Sequence, residues 1–249
     1  MHEVKPFWTE QRLIESFDVD MLGRLRPQTL FAFLLNSAWN HTRGTTYGYE
    51  ELSARNLIWA LIKVQIVIKR QPKWGDQIEI ETWGKRTERL YAMRDFTVRS
   101  TSASNIISAT SSWVILDRTS GRPQRFDPTT DGFPWQPGRE EVETILEKVP
   151  EQKNGREIAR YRVQFSDIDV NRHVNSAKYL QWMIDSHSQE DLEAKEPSSI
   201  DMSFLAEALT KDEVAVYSEE SAGHELCSVR RIGDRRELCR AEFEWRPTG

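Results

Sequence analysis

Cysteine is scarce. The 249 residues hold two, Cys227 and Cys239, and they lack metal-ligand spacing, so both read as buried free thiols in strands. No apolar run approaches the roughly 20 residues that a membrane-spanning helix needs. The opening MHEVKPFWTEQR carries Glu3 and Glu10 and no hydrophobic signal region. No targeting peptide is therefore expected, and the default location is the cytoplasm. Positive charge is not in excess: 34 Lys and Arg face 39 Asp and Glu, a net charge of −5. That argues against nucleic acid as the main partner, because phosphate binding needs a concentrated positive surface. Disorder is excluded as well by an apolar fraction of 38% beside a charged fraction of 29%. What is abundant is tryptophan, nine in all, a residue that suits deep cores and lipid-accommodating pockets alike.

Periodicity shows the architecture. RLIESFDVD reads as a strand. Arg26-Pro27-Gln28 then opens a helix to about His41, with Leu30, Phe31, Leu34, Leu35 and Ala38 at helical spacing on one face. In NLIWALIKVQIVIKR the even positions from Ile58 to Ile68 are all apolar, while Lys63, Gln65 and Lys69 lie on the other face, a strand of a sheet packed on one side. DQIEIETW, YAMRDFTVRS and NIISATSSWVILD complete an antiparallel meander. From Arg118 the chain turns rich in Pro, Gly and Thr and reads as a linker, ending in a short helix over 139–149. Then the pattern restarts. REIARYRVQFSD is a strand, a helix follows with Asn175 or Ser176 as cap and Tyr179, Leu180, Met183, Ile184 and His187 inward, and four more strands follow. FDVDMLGRLRPQTLF lies over FSDIDVNRHVNSAKY, Phe17 on Phe165 and Phe31 on Tyr179. The expected fold is α+β, a helix wrapped by a curled antiparallel sheet, built twice. The expected boundaries are 1–118, a linker at 119–157, and 158–249.

The second copy carries Asp169, Asn171, His173 and Asn175 on alternate positions, which an extended backbone would align on one side. In that overlay Met21, Gly23 and Leu25 occupy the corresponding places of the first copy, so polar chemistry is confined to one half. A solvated Asn- and Asp-rich turn and a reactive edge are both compatible with the spacing.

SDIDVNRHVNSAKY, with KRQPKWGDQIEIETW, MRDFTV and ATSSWVILDRTSGRP, resembles the acyl-acyl carrier protein thioesterases over about Phe17 to Trp245. The resemblance implies a tandem hotdog fold, two helix-wrapped antiparallel sheets in one chain. It also implies hydrolysis of the thioester that joins a fatty acyl chain to the phosphopantetheine arm of acyl carrier protein, with no metal or other cofactor. By position it assigns catalytic roles to Asp169, Asn171, His173 and Glu207. Ala208 stands where the family's pattern has cysteine, so a covalent cysteine route is closed and water must attack directly. Glu207, flanked by Phe204, Leu205, Ala206, Ala208 and Leu209 on an apolar strand, would be partly desolvated and act as general base. Asn171 and His173 would position water and substrate, Asp169 would orient the imidazole, and free N–H groups at the start of the following helix would meet the developing oxyanion.

The first copy is then free to receive the acyl chain on Phe31, Leu34, Leu35, Ala38 and Trp39, residues that equally suit an ordinary helix-on-sheet core. Docking of an acidic carrier protein requires a local basic surface. Three clusters qualify: Lys85, Arg86 and Arg89; Arg118, Arg122 and Arg125; and Arg230, Arg231, Arg235 and Arg236. The chain is expected to act as a monomer or homodimer. An acyl-CoA thioesterase, a hotdog hydratase or dehydratase, and a non-catalytic acyl-binding protein remain the alternatives.

Overall fold

The computed structural model describes residues 5–102, 104–126, 133, 135–142, 147–221 and 223–248. The chain divides into two compact units, 1–64 with 69–146, and 65–68 with 147–249. It is α+β, with much antiparallel sheet and few helices.

In the first unit, β1 (Phe7–Leu13), β3 (Gln77–Glu88), β4 (Tyr91–Ser100), β5 (Asn105–Asp117) and β2 (Leu57–Ile68) lie side by side in that order. The two-residue β6 (Pro123–Gln124) pairs with β5. Pro27, whose fixed φ and missing N–H suit a first turn, starts α1 (Pro27–Thr42). That helix buries Leu30, Phe31, Leu34, Ser37, Ala38 and His41. A short α2 (Tyr49–Ala54) follows. Both faces of β4 are covered from Ala92 to Val98. On one, Arg94 donates to His41 of α1 and to Thr82. On the other, the Glu141 backbone N–H donates to Asp95 Oδ2 at 2.7 Å, and Lys85 Nζ to the Val142 carbonyl at 2.5 Å.

The second unit repeats the plan. Its order is β8 (Lys195–Phe204), β11 (Glu237–Pro247), β10 (His224–Arg231), β9 (Glu213–Ser221) and β7 (Arg156–Arg162). Matching β7–β11 to β1–β5 in chain order makes the two orders identical. The helix α3 (Ser176–Asp185) starts at Asn175, whose side chain accepts the Ala177 N–H, and Tyr179, Leu180, Met183 and Ile184 are buried as their spacing predicts. A short α4 (Gln189–Ala194) precedes β8.

Several expectations need correction. The first strand is 7–13, not 12–20, because Ile14 onward is tied into a turn with Asp76. On β2, Lys63 is buried, so that strand is not simply packed on one side. The linker contributes to the core, since Phe126 and Phe133 join Tyr47 and Leu52 in a buried cluster. The helix expected over 139–149 falls partly on 143–146, outside the described residues, and the described residues at either end of it are not helical.

Candidate active site

The segment 165–175 is a turn, not an extended row. Ile168 and Val174 form an antiparallel bridge. The Asp169 N–H donates to the His173 carbonyl at 2.9 Å, and Arg172 at φ 68° donates back to the Asp169 carbonyl at 3.0 Å. Asp169 Oδ1 accepts the Asn171 N–H at 2.8 Å. The expected alignment of four side chains along a strand is therefore absent, since a closed hairpin removes the two-residue alternation.

The first unit contains the same loop in a register one residue away from the Phe17-on-Phe165 overlay. Val19 bridges Leu25 as Ile168 bridges Val174. The Asp20 N–H donates to the Arg24 carbonyl, and Asp20 Oδ1 accepts the Leu22 N–H, as Asp169 does with His173 and Asn171. Asp18 and Asp167 each accept a backbone N–H three residues earlier, from Glu15 and Gln164. The partner turns match as well. Leu25 donates to the Pro72 carbonyl and Val174 to that of Ala208, while Asp76 and Asp212 accept the N–H groups of Lys73 and Leu209. The counterparts of Asp169, Asn171, His173 and Glu207 are thus Asp20, Leu22, Arg24 and Gln71, replacing the Met21, Gly23 and Leu25 of the sequence overlay. Asp169 is common to both loops and braces the turn. At these four positions the amide, the imidazole and the acid distinguish the second copy.

That second turn delivers Glu207. β8 ends at Phe204, and the following residues return along the loop, where the Val174 N–H meets the Ala208 carbonyl at 3.0 Å. Glu207 Oε2 then lies 3.0 Å from His173 Nε2, with side-chain exposures of 54% and 31%. The burial expected of Glu207 is not found, because it sits beyond the strand. The imidazole's carboxylate partner among the described residues is Glu207 rather than Asp169. Two of the helix N–H groups expected at an oxyanion are occupied: that of Ala177 by Asn175 Oδ1, that of Lys178 by the Asn175 carbonyl.

Tyr179, which sequence reasoning placed only in the core, also holds the site. Its Oη accepts the Ala208 N–H at 3.0 Å, and burial pushes its phenol well above the ordinary value of 10. Asp167 was missed too; its buried carboxylate pairs with Lys178 at 3.0 Å. The recurrence of Asp18 at Asp167 was the available signal. Ala208 is fully buried, and burial raises both Cys227 and Cys239 well above the usual thiol range, so neither is held as a thiolate. On α1, Phe31, Leu34 and Ala38 are buried and Leu35 is half-buried, but Trp39 is exposed and stacks on Tyr49.

Comparison with known proteins identifies the family. The model of the acyl-ACP thioesterase N-terminal domain matches residues 6–130, and that of the acyl-ACP thioesterase C-terminal domain matches 150–247. The chain belongs to the acyl-ACP thioesterase family. Among the family's curated members, a chloroplastic acyl-carrier-protein hydrolase of Cuphea viscosissima is 26% identical over 94% of this chain and 61% of its own length. A chloroplastic palmitoyl-acyl carrier protein thioesterase of Gossypium hirsutum is also 26% identical, over 94% and 62%. The chain therefore spans about three fifths of those relatives. Among solved structures, an acyl-ACP thioesterase from Bacteroides thetaiotaomicron superposes with a TM-score of 0.86 at 25% identity, covering 97% of this chain and 98% of that one. The 12:0-ACP thioesterase from Umbellularia californica shares the fold, with a TM-score of 0.83 at 22% identity and full coverage of both.

Proposed function

We propose that the protein hydrolyses fatty acyl thioesters of acyl carrier protein, with 158–249 supplying the reacting groups. The observation that carries this reading is the His173–Glu207 pair, held at 3.0 Å on a loop whose counterpart in the first unit lacks both groups. In this reading Glu207 takes a proton from water as the water oxygen bonds to the thioester carbonyl carbon. The negative charge that develops on the carbonyl oxygen is met by the Asn171 side-chain amide. His173, in contact with Glu207, delivers the proton to sulfur as the C–S bond breaks, leaving a free fatty acid and the carrier's thiol. The repeated strand order and helix support a hotdog in each unit, and the buried side of α1, Phe31, Leu34 and Ala38, is the candidate bed for the acyl chain in 1–118. Trp39 is outside it. No helix among the described residues is long and apolar enough to cross a membrane, in keeping with a proposed place in the cytoplasm.

The test is thiol release from one fatty acyl group carried in turn by acyl carrier protein and by coenzyme A. Faster release from the carrier protein is expected. A preference for coenzyme A would reassign the substrate class, and no release from either would remove the hydrolase assignment.

A further inference from the structure

The two turns that frame His173 and Glu207 each place a residue in the left-handed region: Arg172 at φ 68° and Lys211 at φ 75°. Their counterparts in the first unit are Gly23 at φ 72° and Gly75 at φ 85°. Glycine adopts that conformation without penalty, whereas a residue with a side chain meets a steric cost there. The second unit thus accepts strain at both positions and places a cation at each. Both side chains are exposed, and among the described residues neither has an ion-pair partner.

Four acids near them are already engaged, while the exposed Glu213 lies two residues from Lys211. Asp169 accepts the Asn171 N–H, Asp167 pairs with Lys178, Asp212 accepts the Leu209 N–H and pairs with Arg231, and Glu207 pairs with His173. The same two turns expose Phe165 (90%), Val170 (64%) and Leu209 (47%). The first unit exposes apolar residues on its own turns too, Phe17, Met21 and Trp74 among them, but has no cation at the two glycine positions. Cationic charge at these places is thus particular to the copy that carries the imidazole and the acid.

We propose that Arg172 and Lys211, with the exposed Phe165, Val170 and Leu209 of the same two hydrogen-bonded turns, form the face that receives the acidic surface of the carrier protein. This rests on the reading of His173 and Glu207 as the reaction centre: a thioester on a flexible arm reaches the partly exposed pair only if its carrier sits within the arm's length of it. The acid-lined carrier supplies the charge complementarity, and the apolar side chains supply contact area once the carrier excludes water. The third basic cluster of the sequence extends the face. Ile232 donates to the Glu213 carbonyl and Arg231 contacts Asp212, so the turn that carries the exposed Arg235 and Arg236 starts beside the turn of Lys211.

The test uses Arg172→Gly with Lys211→Gly, the residues that the first unit uses in the same backbone, so that folding is retained or improved. Hydrolysis is measured with one acyl group on carrier protein, on coenzyme A and on pantetheine, and binding of the carrier is followed separately by fluorescence anisotropy. The expected result is a roughly tenfold higher KM and Kd for the carrier-linked substrate, an unchanged kcat, and a weaker dependence on salt. Acyl-CoA and acyl-pantetheine should be unaffected. An unchanged KM and Kd for the carrier would overturn the proposal, and so would an equal rise with acyl-CoA, since the cations would then hold a phosphate. If the wild type hydrolyses none of the three yet binds carrier and the double variant loses binding, the docking face stands and the hydrolase reading falls.

Discussion

Residue by residue, the two loops form an internal comparison. Tyr179 Oη holds the Ala208 N–H; the counterparts are Leu30, which has no hydroxyl, and Pro72, which has no N–H to be held. Gln71 is buried and donates to the Leu25 carbonyl at 2.6 Å, whereas Glu207 turns outward to His173. Both members of that pair are partly exposed and bear little of the packing, so replacing them tests chemistry with little effect on stability. Glu207→Gln and His173→Ala should each lower kcat by about two orders of magnitude, with thermal unfolding essentially unmoved. Wild-type turnover in Glu207→Gln would remove Glu207 from the role of base. The sequence made the polar set visible, and the resemblance made Glu207 findable across a gap of more than thirty residues. It could not show that Asp169 braces the turn, because the one-residue shift between the repeats hid Asp20 from view. Nor could alternation distinguish an extended edge from a hairpin that closes on its own backbone.

Among the elements, strands and helices with clear periodicity were legible: β4, β5 and β9 match the sequence reading, and α1 and α3 lie within a residue or two of it. The short α2 and α4, six residues each, were not, since so few residues carry no helical period. Charge along a strand misled in one case. Lys85, expected in a basic docking cluster, is fully buried with Asp95 at 3.0 Å; together they fasten Glu141 and Val142 against β3 and β4, while Trp83 holds the Arg139 carbonyl. Lys85→Met leaves a buried carboxylate without its cation and should cost about 3–5 kcal/mol in urea denaturation. Adding Asp95→Asn should recover much of this, because the amide oxygen still accepts the Glu141 N–H without burying a charge. A double variant no more stable than the single one would mean that the pair's charges are not what the segment depends on.

At the scale of the molecule, each unit packs a histidine at its helix, His41 on α1 and His187 just beyond the end of α3, and the two have opposite electrostatics. Burial, and then the Arg94 charge, hold His41 down from 6.5 to about 3. Burial also opposes charge on His187, but Glu225 at 2.8 Å outweighs it and raises the imidazole above 6.5. Glu225 is held near 2, because contacts with His187, Ser218 and Trp245 overcome its desolvation. A histidine with a depressed folded-state value loses stability as pH falls below its unfolded value of 6.5; one with a raised value contributes fully below 6.5 and loses that contribution as pH rises. Glu225 contributes above 4.5 and is lost only toward 2. Between about pH 4.5 and 6.5 the first unit is therefore weakened while the second is at its strongest. Hydrogen exchange corrected for intrinsic rates should show α1 less protected and α3 more protected at pH 5 than at pH 8. A parallel change in both helices would contradict the opposite signs.

The paired loops also bear on descent. What both loops share is backbone hydrogen bonds and an aspartate, a closure that needs no imidazole, amide or acid; the first loop adds Arg24 on Asp20 and Gln71 on the Leu25 carbonyl. A duplicated ancestor could shed its chemistry from one copy by single substitutions at the positions of Leu22, Arg24 and Gln71, without passing through a misfolded form. The same independence leaves the path back open. The first unit remains a vacant mould, into which a second reactive set could be cast without altering the chain that shapes it.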